Sequence, residues 1–285
     1  MRHRIIRATS NGVAGISAGV GGIFDGIVDR LNGSPEAVKD FVALDPVQFP
    51  LGYAAAPGAR REDVEIAAFL AATVAWGRRD MILKSAKKMF VMMQGRPADF
   101  VMSGGFEGLG ERGDPGDGSV HRTFFAGDLK YFCRGFRACY EKYGTLESLF
   151  VAAGGIWQGI ALFRDEMAGA NGGVFSKHIG DPRNSACKRI HLALRWLVRG
   201  RPVDLSLWKT ISPADLFIPL DVHVARNARR LGLLTRKSND RKAVVELTEA
   251  LRLFCPEDPV KYDFALFDNA TSSAVPAVDF NGGNK

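Results

Sequence analysis

The most pointed chemistry in this sequence belongs to a lysine and an aspartate, Lys188 and Asp221. A lysine amine, when neutral, is a nucleophile. A carboxylate nearby stabilises the positive charge that develops as a bond to carbon breaks. Lys188 stands in GDPRNSACKRIHLALRWLVRG, which reads as a turn followed by a helix carrying the lysine in its first turns. Asp221 stands in Ile218-Pro219-Leu220-Asp221-Val222-His223-Val224-Ala225-Arg226, where Pro219 breaks the preceding structure and Asp221 opens the next helix. An aspartate there accepts backbone N–H bonds and meets the positive end of the helix dipole. Each residue also has a plainer reading, Lys188 as a solvated surface charge and Asp221 as an N-cap alone.

Other charged groups flank the pair. Arg183 and Arg189 bracket the turn and the start of the lysine helix, and Arg226, Arg229 and Arg230 follow Asp221 on neighbouring turns. These suit phosphate contacts, or equally a solvated helix face. His121 and Arg122 follow a glycine-rich loop, Gly104 to Gly118, and fit either the rim of a cleft or a loop-to-helix junction. His223 reads as a packed or partly exposed helical histidine. Trp76, Trp196, Trp208, Phe217 and Phe264 are candidate pocket aromatics that lie mostly on apolar helix faces, where core packing is the commoner role.

The elements that must position these residues are helices. Apolar positions recur with helical spacing in Glu62 to Trp76, Met81 to Met93, Asp128 to Tyr143 with Gly144 as C-cap, Leu146 to Met167, Ala186 to Val198, Val222 to Leu231 and Arg241 to Phe254. No comparable stretch alternates with period two, so the pattern predicts an all-α body. Breaks fall at the Gly104 to Gly118 loop, read as a surface loop or lid, and at Asn171 to Arg183. Asp258 is placed to cap a last helix with Pro259 in its first turn.

With 285 residues, 46% hydrophobic and 24% charged, the chain has the composition of a globular protein with a sizeable core. No run approaches the roughly 18 apolar residues of a membrane span, so no membrane partner is expected. Cys133, Cys139, Cys187 and Cys255 lack CxxC spacing, which predicts no metal site and a reducing, cytoplasmic setting, nucleoid-associated in a bacterium. A net charge of +7 favours a polyanionic partner.

IPLDVHVARNARRLGL resembles the segment of helix-hairpin-helix DNA glycosylases in which a proline and an aspartate open a helix that ends leucine-glycine-leucine. The resemblance implies that Asp221 is the catalytic aspartate. It places GDPRNSACKRIHLALRWLVRG at the DNA-gripping hairpin, and Lys188 at the nucleophile of the bifunctional members. The 33 positions between Lys188 and Asp221 are similar to the archaeal 8-oxoguanine glycosylase branch. Two features depart from the superfamily: Gly180-Asp181-Pro182-Arg183-Asn184 holds one glycine where the hairpin turn has several, and no four-cysteine iron-sulfur loop is present. The span from about Pro46 to Phe267 also resembles a mostly bacterial family known only as a domain of unknown function. FPLGY, EIAAFLAATVAWG, SACKR, LRWLVR, IPLDVHV and DPVKYDFALF carry that likeness.

These resemblances imply an all-α, helix-hairpin-helix glycosylase-like fold of two helical lobes with a cleft between them. The expected division is a flexible N-terminal extension at 1–33, one discontinuous lobe from 34–60 plus 203–268, a central lobe at 61–202 ending in the hairpin, and a loose tail at 269–285. The implied function is base-excision repair of double-stranded DNA. A damaged nucleotide, such as an oxidised purine, flips out of the stack and is attacked by Lys188, without cofactor or iron-sulfur cluster. Lys188 and Asp221 are the catalytic candidates; Arg183, Arg189, Arg226, His121 and Arg122 are the DNA-binding ones. The rival expectation is a non-catalytic DNA-binding or protein-interaction module on the same fold.

Overall fold

The computed structural model describes residues 22, 24–29, 33–111, 113, 114, 117–200 and 202–267. The body is helical, as the apolar spacing predicts. In chain order it contains α1 (Pro35–Ala43), α2 (Gln48–Ala55), α3 (Arg61–Thr73), α4 (Arg79–Met92), α5 (Pro97–Met102), α6 (Ala126–Tyr143), α7 (Leu146–Ala152), α8 (Ile156–Gly169), α9 (Lys188–Val198), α10 (Val222–Arg230), α11 (Arg241–Arg252) and α12 (Asp263–Phe267). Short 3₁₀ turns lie at Gly105–Gly108, Pro213–Asp215 and Pro259–Tyr262. The one sheet among the described residues is an antiparallel pair, β1 (Ser119–His121) and β2 (Phe124–Phe125). Among the described residues no single helix is long and apolar enough to cross a membrane.

α3 is the central post. Every residue from Val64 to Thr73 is buried, and its alanines at 67, 68, 71 and 72 let α2 and α9 pack close to it. A buried carboxylate on this helix, Glu65, ties distant segments together. It accepts from the Trp208 indole at 2.8 Å, the Tyr140 hydroxyl at 3.1 Å and the Leu146 amide at 3.1 Å, and pairs with Arg61 at 3.1 Å. Around α3 the rings of Phe69, Phe136, Phe150, Phe163 and Trp208 pack at centroid distances of 5.0 to 6.3 Å.

Apolar spacing predicts one helix over Leu146 to Met167, but the chain forms two, α7 and α8, bent by 119°. Gly154, with φ +75°, supplies the left-handed turn that a side chain resists, and Gly155 starts the second helix. Periodicity is blind to such a break when both halves keep their apolar faces. The Gly104 to Gly118 loop is tied to α6, where Arg134 and Lys130 pair with both Glu107 and Glu111 at 2.8 to 3.2 Å. Asp258 gives its carboxylate to Arg199 at 2.8 Å, so it does not cap the Pro259 turn by its side chain. Within the expected extension 1–33, residues 24–29 are helical, and Phe24, Ile27 and Val28 are buried in the core. Phe24 packs on Phe254 and Tyr262, so this stretch belongs to the body. The expected tail at 269–285 lies outside the described residues.

Two packing relations position the candidate pair. α9 lies against α3, which brings the first residue of α9 over the end of α3. α10 lies against α12, which brings the start of α10 over the same place.

Candidate functional site

α9 begins abruptly: Cys187, its N-cap residue, is held at φ +46°, and Lys188 is the first helical residue, two positions later than the apolar spacing predicts. α10 begins at an Asp221 cap, as expected. One carboxylate oxygen, Oδ1, accepts from the amides of His223 and Val224, both at 2.8 Å. The other oxygen, Oδ2, stands 3.4 Å from Nζ of Lys188. Nζ also donates to the carbonyl of Ala75 at 3.2 Å, just past the end of α3. The pair stays open to solvent, with side chains 29% and 12% exposed. The amine is thus held by one carboxylate and one carbonyl.

The next residue along, Trp76, gathers three more of the candidates. The Arg122 and Arg189 guanidiniums lie 5.3 and 5.4 Å from its ring centroid, and the His121 ring meets it edge-on at 4.9 Å. Gly77, at φ +101°, makes room for Arg122, since a Cβ there would lie 2.6 Å from the guanidinium. Arg122 is exposed at the β1–β2 turn; Arg189 is half-buried and bonded to His178 at 3.2 and 3.3 Å. Burial lowers the Arg189 guanidinium from its ordinary pKa. The Trp76 indole N–H has no hydrogen-bond partner among the described residues.

His121 is placed differently from the expected cleft rim. It is buried, with Nδ1 on the Ser85 hydroxyl at 2.9 Å and Nε2 on the Trp76 carbonyl at 2.9 Å, and burial lowers its pKa. With both nitrogens engaged, it holds the 76–78 turn against α4 and has none left for a phosphate.

Arg183 and Arg226 lie outside the cluster. Arg183 is 80% exposed and folds back on Asp181, its Nε 3.0 Å from both carboxylate oxygens. Arg226 is exposed on α10, 3.4 Å from Nδ1 of His223. Four amides of the 180–187 turn are bonded within it. Arg183 donates to the Asp181 side chain, Asn184 and Ser185 to the Asp181 carbonyl, and Cys187 to the Ser185 hydroxyl. Of the candidate aromatics, Trp196, Trp208 and Phe264 are buried core, whereas Trp76 and Phe217 are half-buried.

Behind the pair runs a buried ionic chain that apolar spacing does not reveal. Arg195 on α9 bonds Asp263, the first residue of α12, and stands 3.5 Å from Asp204. Arg199 binds Asp204 at 2.6 Å and Asp258 at 2.8 Å. Burial pushes the Asp263 carboxyl up to about 6; Arg195 opposes the rise, the Asp221 charge adds to it and the Lys188 charge lowers it. Asp45, buried near Arg195 and Arg79, is also raised, chiefly by desolvation. The chain clamps α9 to α12 and so fixes the angle at which Lys188 meets Asp221. Among the described residues no three His, Cys, Asp or Glu side chains gather as a metal site.

The long motifs agree with the wider comparison. Neither curated proteins nor solved structures yield a match. The family model described as "Protein of unknown function (DUF2400)" matches residues 45–271, a span that takes in α2 to α12 with Lys188, Asp221 and the ionic chain behind them, and the chain belongs to that family.

Proposed function

We propose that the protein is a DNA-repair glycosylase with lyase activity on a helix-hairpin-helix glycosylase-like fold, acting through a Lys188 Schiff base on a nucleotide flipped out of duplex DNA. The observation that carries this reading is the 3.4 Å approach of the Lys188 amine to the Asp221 carboxylate, from opposite ends of a 33-residue separation, in a solvent-open position. Lys188, in its neutral form, attacks C1′ of the flipped nucleotide. The glycosidic bond breaks, its electron pair leaves on the base, and ring opening gives an imine between Nζ and the sugar. Asp221 stabilises the positive sugar as the bond lengthens, and the Ala75 carbonyl orients the amine. Arg122 and Arg189 on Trp76 supply positive charge beside the reacting sugar.

Borohydride trapping tests this. The hydride reduces an imine to a stable amine, so duplexes carrying 8-oxoguanine, uracil or an abasic site should yield a covalent adduct that Lys188→Ala loses. Absence of adduct on every duplex refutes the Schiff-base chemistry. A second reading, a DNA-binding module without catalysis, is favoured by the 180–187 turn, four of whose amides are bonded internally. It predicts salt-sensitive duplex binding with no adduct.

A further inference from the structure

At the turn where the resemblance places the DNA grip, four amides are bonded within the turn and Arg183 is paired with Asp181, so duplex binding draws on another surface. α4 supplies one. Its inner face buries Ile82, Ser85, Ala86, Met89 and Phe90, and its outer face presents Lys84, Lys87 and Lys88 to solvent. Among the described residues no carboxylate stands within 4 Å of these three amines. Asp80, the acidic residue nearest on the helix, is engaged by Arg78 at 3.0 and 3.1 Å. Lys88 donates to the Ser119 carbonyl at 2.7 Å, a neutral partner that leaves its charge uncompensated.

This face is continuous with the candidate site. Lys88 bonds the carbonyl of Ser119, whose hydroxyl donates to the Arg122 carbonyl at 3.1 Å, and Arg79 at the start of α4 lies 5.0 Å from the Phe267 ring on α12. Arg122 stands at the junction, over Trp76. Lys84 to Lys88 covers about 6 Å of helix rise. Each DNA strand offers one phosphate per roughly 3.4 Å of axis, so flexible lysine side chains at this spacing reach successive phosphates.

We propose that the Lys84, Lys87 and Lys88 face of α4, continued by Arg122, grips the backbone of double-stranded DNA and delivers the target nucleotide to Lys188. This rests on the reading of the substrate as DNA. The test uses the full chain, a labelled duplex with an abasic site and a salt series. Lys84→Gln, Lys87→Gln and Lys88→Gln combined should cut the slope of log affinity against log salt by up to about 2.7, roughly 0.9 per lost contact. Affinity at low salt should fall at least about 10-fold, while Lys242→Gln, on the exposed face of α11, leaves both nearly unchanged. Surface substitutions of this kind shift stability little, which a melting curve checks. At saturating protein the triple variant should still give the borohydride adduct.

An unchanged slope in the triple variant overturns the proposal, as does a wild-type protein without salt-sensitive duplex binding. So does tighter, α4-dependent binding to phosphatidylglycerol vesicles than to the duplex, because exposed Met81 and Val91 also suit a membrane surface. A reduced slope in the triple variant together with no adduct from the wild-type protein keeps the α4 surface and discards the Schiff base alone.

Discussion

The two oxygens of Asp221 do separate jobs, and two substitutions pull those jobs apart. Oδ1 caps α10 through the His223 and Val224 amides, whereas Oδ2 faces Lys188. Asp221→Ala removes both. Loss of an N-cap costs about 0.5–2 kcal/mol, and for a chain of this size each kcal/mol lowers Tm by about 2–4 °C, so Tm should fall by roughly 1–8 °C. Asp221→Asn keeps a carbonyl oxygen for the cap, and asparagine caps about as well as aspartate, so Tm should stay within about 2 °C of wild type. It nevertheless removes the negative charge and turns an amide toward the Lys188 amine. Losing a preorganised electrostatic partner of a transition state costs about 10²–10³ in rate, and single-turnover adduct formation on an abasic duplex should slow by that factor in both variants. Thermal unfolding followed by circular dichroism, beside the trapping time course, reads the two effects separately. An Asp221→Asn protein that traps at the wild-type rate refutes the catalytic assignment; one as unstable as Asp221→Ala refutes the division between the oxygens.

Three further outcomes follow from the surrounding geometry. Asp263, raised from 3.8 to about 6, holds a proton in the folded chain that the unfolded chain releases near pH 4. Its contribution to stability, roughly 3 kcal/mol, is full below pH 4 and is lost as pH rises through 6, and Asp263→Asn should remove that part of the stability-against-pH curve. Because the same charge acts on Lys188 and Asp221, that variant should also erase an inflection near pH 6 in the trapping rate; an inflection that persists would mean another group titrates there. Gly77→Ala, which puts a Cβ into the Arg122 guanidinium, should displace Arg122 and weaken duplex binding several-fold, more at low salt than at high salt. Glu107 is held down to about 2 by its bond to Arg134, and Glu111 is lowered by Lys130 and Arg134. The clasp on the glycine-rich loop is therefore complete above about pH 4.5 and opens as pH falls toward 2, which hydrogen exchange at residues 105–111 would report.

Much of this frame was legible because the helices obey local rules. The apolar stripe of Asp128 to Tyr143, its end at Gly144 and the cap at Asp221 each follow from spacing and residue type within one turn. The break at Gly154 was not legible, because α7 and α8 each keep an apolar face and the pattern runs through the bend. His121 was misplaced for a related reason: proximity to a loop suggested exposure, and only the approach of α4 turns it inward onto Ser85. Lys188 and Asp221 were singled out by resemblance, and the structure adds their 3.4 Å approach. The support of that pair was not legible, since Arg195, Asp204, Asp258 and Asp263 sit in segments whose meeting depends wholly on tertiary packing. The Ala75 carbonyl left no signal at all, because any residue type offers one.

Glu65 and the Ala75 carbonyl also govern when the site can exist. Glu65 meets Trp208 across 143 positions, and Ala75 meets Lys188 across 113. Arg195 waits a further 68 for Asp263. A polypeptide made at about 5–20 residues per second therefore displays Lys188 for roughly 4–15 s before the aspartate that anchors its helix has been synthesised. During that interval the amine is an ordinary solvated lysine. On the proposed chemistry, reactivity toward the sugar would switch on only when the C-terminal segment docks and Arg195 meets Asp263.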